Sequence, residues 1–249
     1  MTHLHKEPCA EKVRTTHVLG GATVRFGGGV QRRVRLFASR VDHSGACRVS
    51  LVSEVRAEAI ARRMRDHFES LGGVPDVATF DAPVATSPAA RGRIDGDHAS
   101  LVAAMKGIGV EVSHRGRHEG RLLEEEVRST FFEGQRFADR RDLEEKIAAW
   151  CEVISLRQFG RSGEHVGLKP LAVGPDGFAV PVDVVVGGFG VVLIAGHSYV
   201  VPAATGTRGT ALLYPTVVRL MIDGGEILLR RRVSEAPANT CSTTTSPPP

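Results

Sequence analysis

The sequence predicts an α/β core followed by a small all-β domain. Three observations carry that expectation. Residues 17–53 fall into short runs broken by glycine-rich or Asp-His-Ser-Gly turns, the pattern of an antiparallel meander. From Val55 the apolar spacing switches to helical, and helices and strands then alternate to about residue 157. From about residue 180 only short valine-rich runs remain, separated by glycines.

Element by element, residues 1–16 are polar and predict a flexible N-terminal segment. The stretch "HVLGGATVRFGGGVQRRVRLFASRVD" gives two strands around the Gly27–Gly29 turn. In the second, Val30, Val34, Leu36 and Ala38 alternate with Arg33 and Arg35, and Phe37 departs from the half-buried pattern. "GACRVSLVS" (45–53) is a third strand. Val55, Ala59, Ile60, Met64, Phe68 and Leu71 then recur at helical spacing, with Arg62, Arg63 and Arg65 on the other side and Gly72–Gly73 as the stop. "DVATFD" is a strand that closes on Asp81 before Pro83. Residues 84–97 read as a loop, 98–108 as a helix, 110–114 as a strand and 119–131 as a charged helix. A further helix spans 142–157, with Leu143, Ile147, Trp150, Cys151 and Ile154 along one side. "GRSGEH" opens a linker over 161–179. Residues 180–232 read as strands closing into a small β-barrel, with "IDGGEILLRR" as a hairpin on a two-glycine turn. The tail 233–249 is low-complexity and predicts disorder.

Composition narrows the function. The net charge of +4 suits a polyanion partner without requiring one, and 5% aromatics argue against a base-stacking surface for single strands. Cys9, Cys47, Cys151 and Cys241 form no CxxC pair, which speaks against a zinc site and for reduced thiols in a cytoplasmic protein. The start "MTHLHKEPCAEK" has no apolar core, so no signal peptide is expected. The most apolar stretch, 180–196, is broken by glycines and carries Asp183, so strands are expected there and not a membrane helix. The Gly27–Gly29 run precedes no helix and is not a phosphate loop, and "GRSG" lacks the Lys-Ser/Thr step of a P-loop.

Four stretches carry a resemblance: "HVLGGATVRF", "FESLGGVPDVATFDAP", "GRHEGRLLEEEVRSTFFEGQRFADRRDLEEKIAAWC" and "HSYVVPAATGTRGTALLYPTVVRLMIDGGEILLRR". In this order they resemble the integrase-like DDE transposases of the IstA type, over roughly residues 17–232. The resemblance implies an RNase H-like core over 17–160, a mixed sheet with flanking helices, and a Mu-transposase-like β-barrel over 180–232. It also implies work in DNA integration and transposition by an insertion sequence, on DNA, with an ATPase helper and possible homo-oligomers. No counterpart of the family's N-terminal helix-turn-helix region is expected, since the sequence begins near the core.

Such enzymes gather three carboxylates around two Mg2+ or Mn2+ ions, which activate the attacking oxygen and stabilise the leaving one. The resemblance places the middle acid on Asp81, the first on Leu19 in "VLGG" and the third on Leu123 in "EGRLLEE". Glu124 is the alternative third acid, although its side chain would point about 100° away around the helix. Leucine at two acid positions implies a degenerate member, inactive in strand transfer and holding metal weakly at Asp81 if at all. Taken alone, Asp81 would cap a loop at a strand end, Glu124–Glu126 would form a solvated helix face, and Asp42 would serve a turn. His3, His5 and His17 show no ligand spacing. Phosphate contacts are expected from Arg32, Arg33 and Arg35, from Arg62 and Arg63, and from Arg230 and Arg231. Two alternatives use the same scaffold: a non-catalytic DNA-binding or assembly protein, and a metal-dependent nuclease pairing Asp81 with Glu124.

Overall fold

The computed structural model describes residues 12–53, 57–80, 100–113, 117–159, 167–171, 178–194, 197–214 and 217–230. The chain divides into two compact units, Met1–Val182 and Asp183–Pro249. Most of the N-terminal segment expected to be flexible, the 84–97 loop and the 233–249 tail lie outside the described residues.

The first unit is built on a mixed sheet in the order β3-β2-β1-β4-β5, with β6 also on β1. β1 (Arg14–Phe26) turns through Gly27–Gly29 into antiparallel β2 (Gln31–Val41). The Phe26 amide donates to the Val30 carbonyl at 2.8 Å. Gly28 and Gly29 take φ of 75° and 80°, which side chains disfavour. β3 (Cys47–Val52) pairs antiparallel with β2. β4 (Val77–Phe80) runs parallel to β1 from Arg14↔Val77 to His17↔Phe80, and β5 (Glu111–Ser113) runs parallel to β4. The two-residue β6 (Arg136–Phe137) meets β1 only at Arg25 and Phe26. Between His17 and Arg25, β1 therefore has no paired strand on its β4 side among the described residues.

Both faces of this sheet are covered, and strand alternation sorts the residues. Val18, Ala22, Val24, Leu36, Ala38, Val49 and Leu51 pack against α3 (Arg117–Val127), the π turn that continues it (Arg128–Phe132), and α4 (Arg140–Phe159). Leu143, Ile147 and Cys151 of α4 are buried in that layer, with Trp150 and Ile154 packed beside them. The opposite face holds Phe37, whose ring stacks 5.3 Å from His67 on α1 (Ala57–Leu71). Phe37 breaks the half-buried pattern because β2 is covered twice at that level: Leu36, Phe37, Ala38 and Ser39 are all buried. Each fully buried Leu or Phe here stabilises the fold by roughly 1.5–3 kcal/mol. The buried face of α2 (100–107) comprises Leu101, Ala104 and Met105.

Part of the expected 161–179 linker is docked on this core. Lys169 and Val74 exchange backbone hydrogen bonds of 2.7 and 2.8 Å, and Leu168 packs against Val13, Val41, Ala46 and Leu71. Gly73 leaves room for the strap, since a Cβ there would strike the Lys169 carbonyl oxygen. Asp76 ties the same pole together, accepting from the Val13 amide at 2.9 Å and from Lys169 Nζ at 2.6 Å.

The second unit is all-β, and its boundary falls inside β7 (Val180–Val185). β7, β10 (Arg208–Leu213), β11 (Val217–Ile222) and β12 (Gly225–Arg230) form a four-stranded sheet ordered β12-β11-β10-β7. β8 (Val191–Ile194) and β9 (His197–Val200) form a separate hairpin. Val192, Ile194, Tyr199, Ala211, Val218 and Leu220 are buried. The β11–β12 turn is Asp223–Gly224, not the two glycines, because Gly225 pairs with Ile222. Asp223 and Gly224 take φ of 50° and 72°, the positive pair a tight primed hairpin turn needs. No helix among the described residues is long and apolar enough to cross a membrane.

Candidate carboxylate site and basic hairpin

The open stretch of β1 is where a carboxylate arrives. Leu123 and Val127 of α3 are buried in the core, at 1% and 2% exposure, and this fixes the rotation of the helix. Glu124 then reaches β1: its Oε1 accepts from the Gly21 amide at 3.2 Å. Gly20 makes room, because a Cβ there would lie 2.6 Å from Glu124 Oε1. A glycine inside a strand often marks such a close approach, and "GG" at 20–21 was the readable signal. Glu125 is exposed, and Glu126 pairs with Arg40 at 3.0 Å.

The remaining expected site residues are placed as follows. Leu123 is core. Leu19 pairs with Phe37 and, by alternation, faces away from Glu124, whereas Val18 and Gly20 share Glu124's side of the sheet. Asp81 lies outside the described residues; β4 is described up to Phe80, beside His17. Asp42 sits in the turn after β2 and accepts from Thr16 Oγ1 at 2.7 Å. Among the described residues no group of three His, Cys, Asp or Glu side chains could hold a metal ion. At Glu124 they offer one carboxylate facing a backbone N–H donor, and that set does not fit a pair of divalent cations, which need several oxygen ligands.

The arginines separate into two kinds. On the helices many are paired: Arg63 with Asp66 at 3.3 Å, Arg65 with Glu69 at 2.9 Å, and Arg140 and Arg141 with Glu144 and Glu145. The β1–β2 hairpin differs, for residues 14–41 contain no Asp or Glu. Arg32, Arg33 and Arg35 are exposed there, and so is Arg25, which sequence reasoning passed over. Arg62 is half-buried on α1, the side chain of Arg230 is outside the described residues, and so is Arg231 altogether.

A buried polar chain runs through Thr15, His17, Ser39, His67 and Ser50, and no local sequence signal marks it. His17 Nε2 lies 2.8 Å from Thr15 Oγ1 and its Nδ1 2.8 Å from Ser39 Oγ. Ser39 Oγ lies 2.7 Å from His67 Nδ1, and His67 Nε2 2.8 Å from Ser50 Oγ. The His17 ring stacks on Phe80 and Phe37. Burial without a carboxylate partner lowers both imidazoles from 6.5 to about 3; for His67 the neighbouring His17, Arg63 and Arg48 add to the effect. Burial likewise raises the thiols of Cys47 and Cys151, the latter to about 11, so neither is a ready nucleophile.

No protein-family model matches the chain, and no curated protein does. Among solved structures, it is similar to the HTLV-2 integrase catalytic core domain in complex with magnesium. The dimeric form is 12% identical, with 53% of this chain and 81% of that one covered and a TM-score of 0.31. The trimeric form is 13% identical, with coverages of 54% and 80% and a TM-score of 0.32. A simian T-cell lymphotropic virus intasome bound to the PP2A regulatory subunit B56 gamma is 9% identical, with coverages of 86% and 75% and a TM-score of 0.39. Likeness at this level assigns no residue and no activity.

Proposed function

We propose that this chain is a transposase-lineage protein of DNA integration, with an RNase H-like core and a small C-terminal barrel of the IstA type, and that it does not carry out metal-dependent strand transfer. One observation carries the reading. A helix-borne carboxylate, Glu124, meets the central strand beyond the described part of its parallel neighbour, but the strand offers Gly20 and the Gly21 amide instead of an acid. That is the arrangement expected when a multi-carboxylate site has lost members and the remaining acid takes a backbone donor. The sheet order, the mixed pairing and the helices on both faces support the same lineage. The partners that go with it are DNA, further copies of the chain and an ATPase helper.

The test is a cleavage and joining assay on duplex DNA with Mg2+ or Mn2+. No metal-dependent product is expected, because metal-borne charge stabilisation supplies most of this chemistry. Nicking that Glu124→Gln or Asp81→Asn abolishes would overturn inactivity and establish the nuclease alternative.

A further inference from the structure

We infer that the uncovered face of the β1–β2 hairpin is a docking surface for the phosphate backbone of duplex DNA, separate from the Glu124 site and on the other side of the sheet. This rests on the reading of the chain as a DNA-handling protein.

The hairpin emerges from its α1 cover beyond the Leu19↔Phe37 pair. Past that level one face displays Thr23 and Arg25 from β1 and Gln31, Arg33 and Arg35 from β2, all exposed. The pairs Arg25↔Gln31, Thr23↔Arg33 and Gly21↔Arg35 set these residues in adjacent rows. Side chains two residues apart on a strand repeat at about 6.6–6.8 Å on one face, so the arginines form a grid and not a point charge. Arg33 lies across Gly21, where a Cβ would sit 3.6 Å from its Nε. The opposite face of the hairpin is closed by Val24, Phe26 and Phe137.

Charge distinguishes this surface from others on the core. Residues 14–41 hold Arg14, Arg25, Arg32, Arg33, Arg35 and Arg40 and no acid. Among the described residues Arg25, Arg33 and Arg35 have no ion-pair partner, whereas Arg63 and Arg65 of α1 do. Unpaired guanidiniums present planar donor forks that match phosphate oxygens. Thr23 and Gln31 between them add hydroxyl and amide donors of the kind that position a backbone. Among the described residues no aromatic ring stands on this face to stack a base, so the contact reads charge and not sequence.

The experiment is fluorescence anisotropy with a labelled duplex of arbitrary sequence, with salt varied from about 50 to 200 mM. Arg25→Gln, Arg33→Gln and Arg35→Gln together should weaken binding by about tenfold or more and cut the salt slope by roughly 2.7, three lost phosphate contacts at about 0.9 each. Arg65→Gln, Arg140→Gln and Arg141→Gln remove the same charge from ion-paired helix positions and should leave affinity and slope near the parent's. Thr23→Glu, a single change that sets an acid opposite Arg33, should weaken binding on its own and covers the case in which the triple variant misfolds. Equal losses from both triples, or none from the hairpin triple and Thr23→Glu, overturn the surface while leaving the proposed function standing. A parent that binds no duplex sinks both. Displacement by polyglutamate at a lower concentration than by unlabelled duplex would reassign the face to an acidic protein and overturn the DNA assignment.

Discussion

The carboxylate of Glu124 sits against the backbone of β1, its Oε1 3.2 Å from the Gly21 amide nitrogen, with Gly20 supplying the space. That contact states which strand position shares a face with the helix acid. It is position 20, not 19, and a rebuilt site should follow it.

Gly20→Asp should therefore place a second carboxylate beside Glu124, whereas Leu19→Asp should not. The new Cβ obliges Glu124 to swing aside from its present place and two crowded carboxylates repel, so Gly20→Asp should melt below the parent without metal. Added Mn2+ should restore stability by about 2.7 kcal/mol at a hundred times its dissociation constant. Thermal melts of parent, Gly20→Asp and Leu19→Asp with and without Mn2+ measure it. An equal gain for Leu19→Asp would mean that Glu124 does not face position 20 in solution.

The buried histidines should make the core acid-sensitive at unusually high pH. Both are held neutral, with folded values near 3 against 6.5 unfolded. The unfolded chain thus binds more protons, so their stabilisation is complete above pH 6.5 and is lost as pH falls towards 3. With two such groups the slope approaches about 2.7 kcal/mol per pH unit once unfolded histidines are charged. Most carboxylates add little between pH 6 and 5, so urea unfolding in that interval isolates the effect. Stability that stays flat there and falls only below the carboxylate range would contradict the buried placement of His17 and His67.

The strap at Leu168–Lys169 should be opened by a single methyl group. Gly73→Ala drives a Cβ into the Lys169 carbonyl oxygen, a backbone atom that cannot swing aside. Thermolysin, which cuts before leucine, should attack the Gly167–Leu168 bond slowly in the parent and several-fold faster in Gly73→Ala. Equal rates in the two proteins would show that the bridge does not hold the segment.

Phe189 stands 98% exposed at φ 59°, in the left-handed region that side chains other than glycine and asparagine disfavour. Phe189→Gly removes a strain of about 1–2 kcal/mol and restores some unfolded-chain entropy, so a net gain of roughly 0.5–1 kcal/mol is expected. A denaturant midpoint lower than the parent's would mean that the ring makes a stabilising contact.

Legibility in the sequence followed how local each signal was. The α4 stripe of Leu143, Ile147 and Cys151 was readable because one helix buries one side. Phe37 was not, since burial of both strand faces erases the period-2 signal that marks a half-covered sheet. β6, at two residues, is too short to show any period. Leu123 and Glu124 could not be separated by spacing, since neighbouring helix positions differ only in rotation, and the core contacts of Leu123 set that rotation. The Gly20–Gly21 pair was the better guide to the site. The histidine chain draws on three strands and α1, so no window of sequence contains its pattern.

That chain also has a direction. Neutral imidazole carries one N–H, and Ser39 has one proton to share between His17 Nδ1 and His67 Nδ1. If Ser39 donates to His17, then His17 holds its proton on Nε2 and gives it to Thr15, while His67 donates from Nδ1 to Ser39 and accepts from Ser50 at Nε2. If Ser39 turns round, all four bonds reverse. While Ser39 donates to one ring or the other, the two histidines hold opposite tautomers and change together. Ser50 is half-buried on the edge strand β3. A partner that accepts from its hydroxyl would leave His67 Nε2 to donate to Ser50, and through Ser39 would fix the proton of His17 on Nδ1 without moving an atom of the backbone.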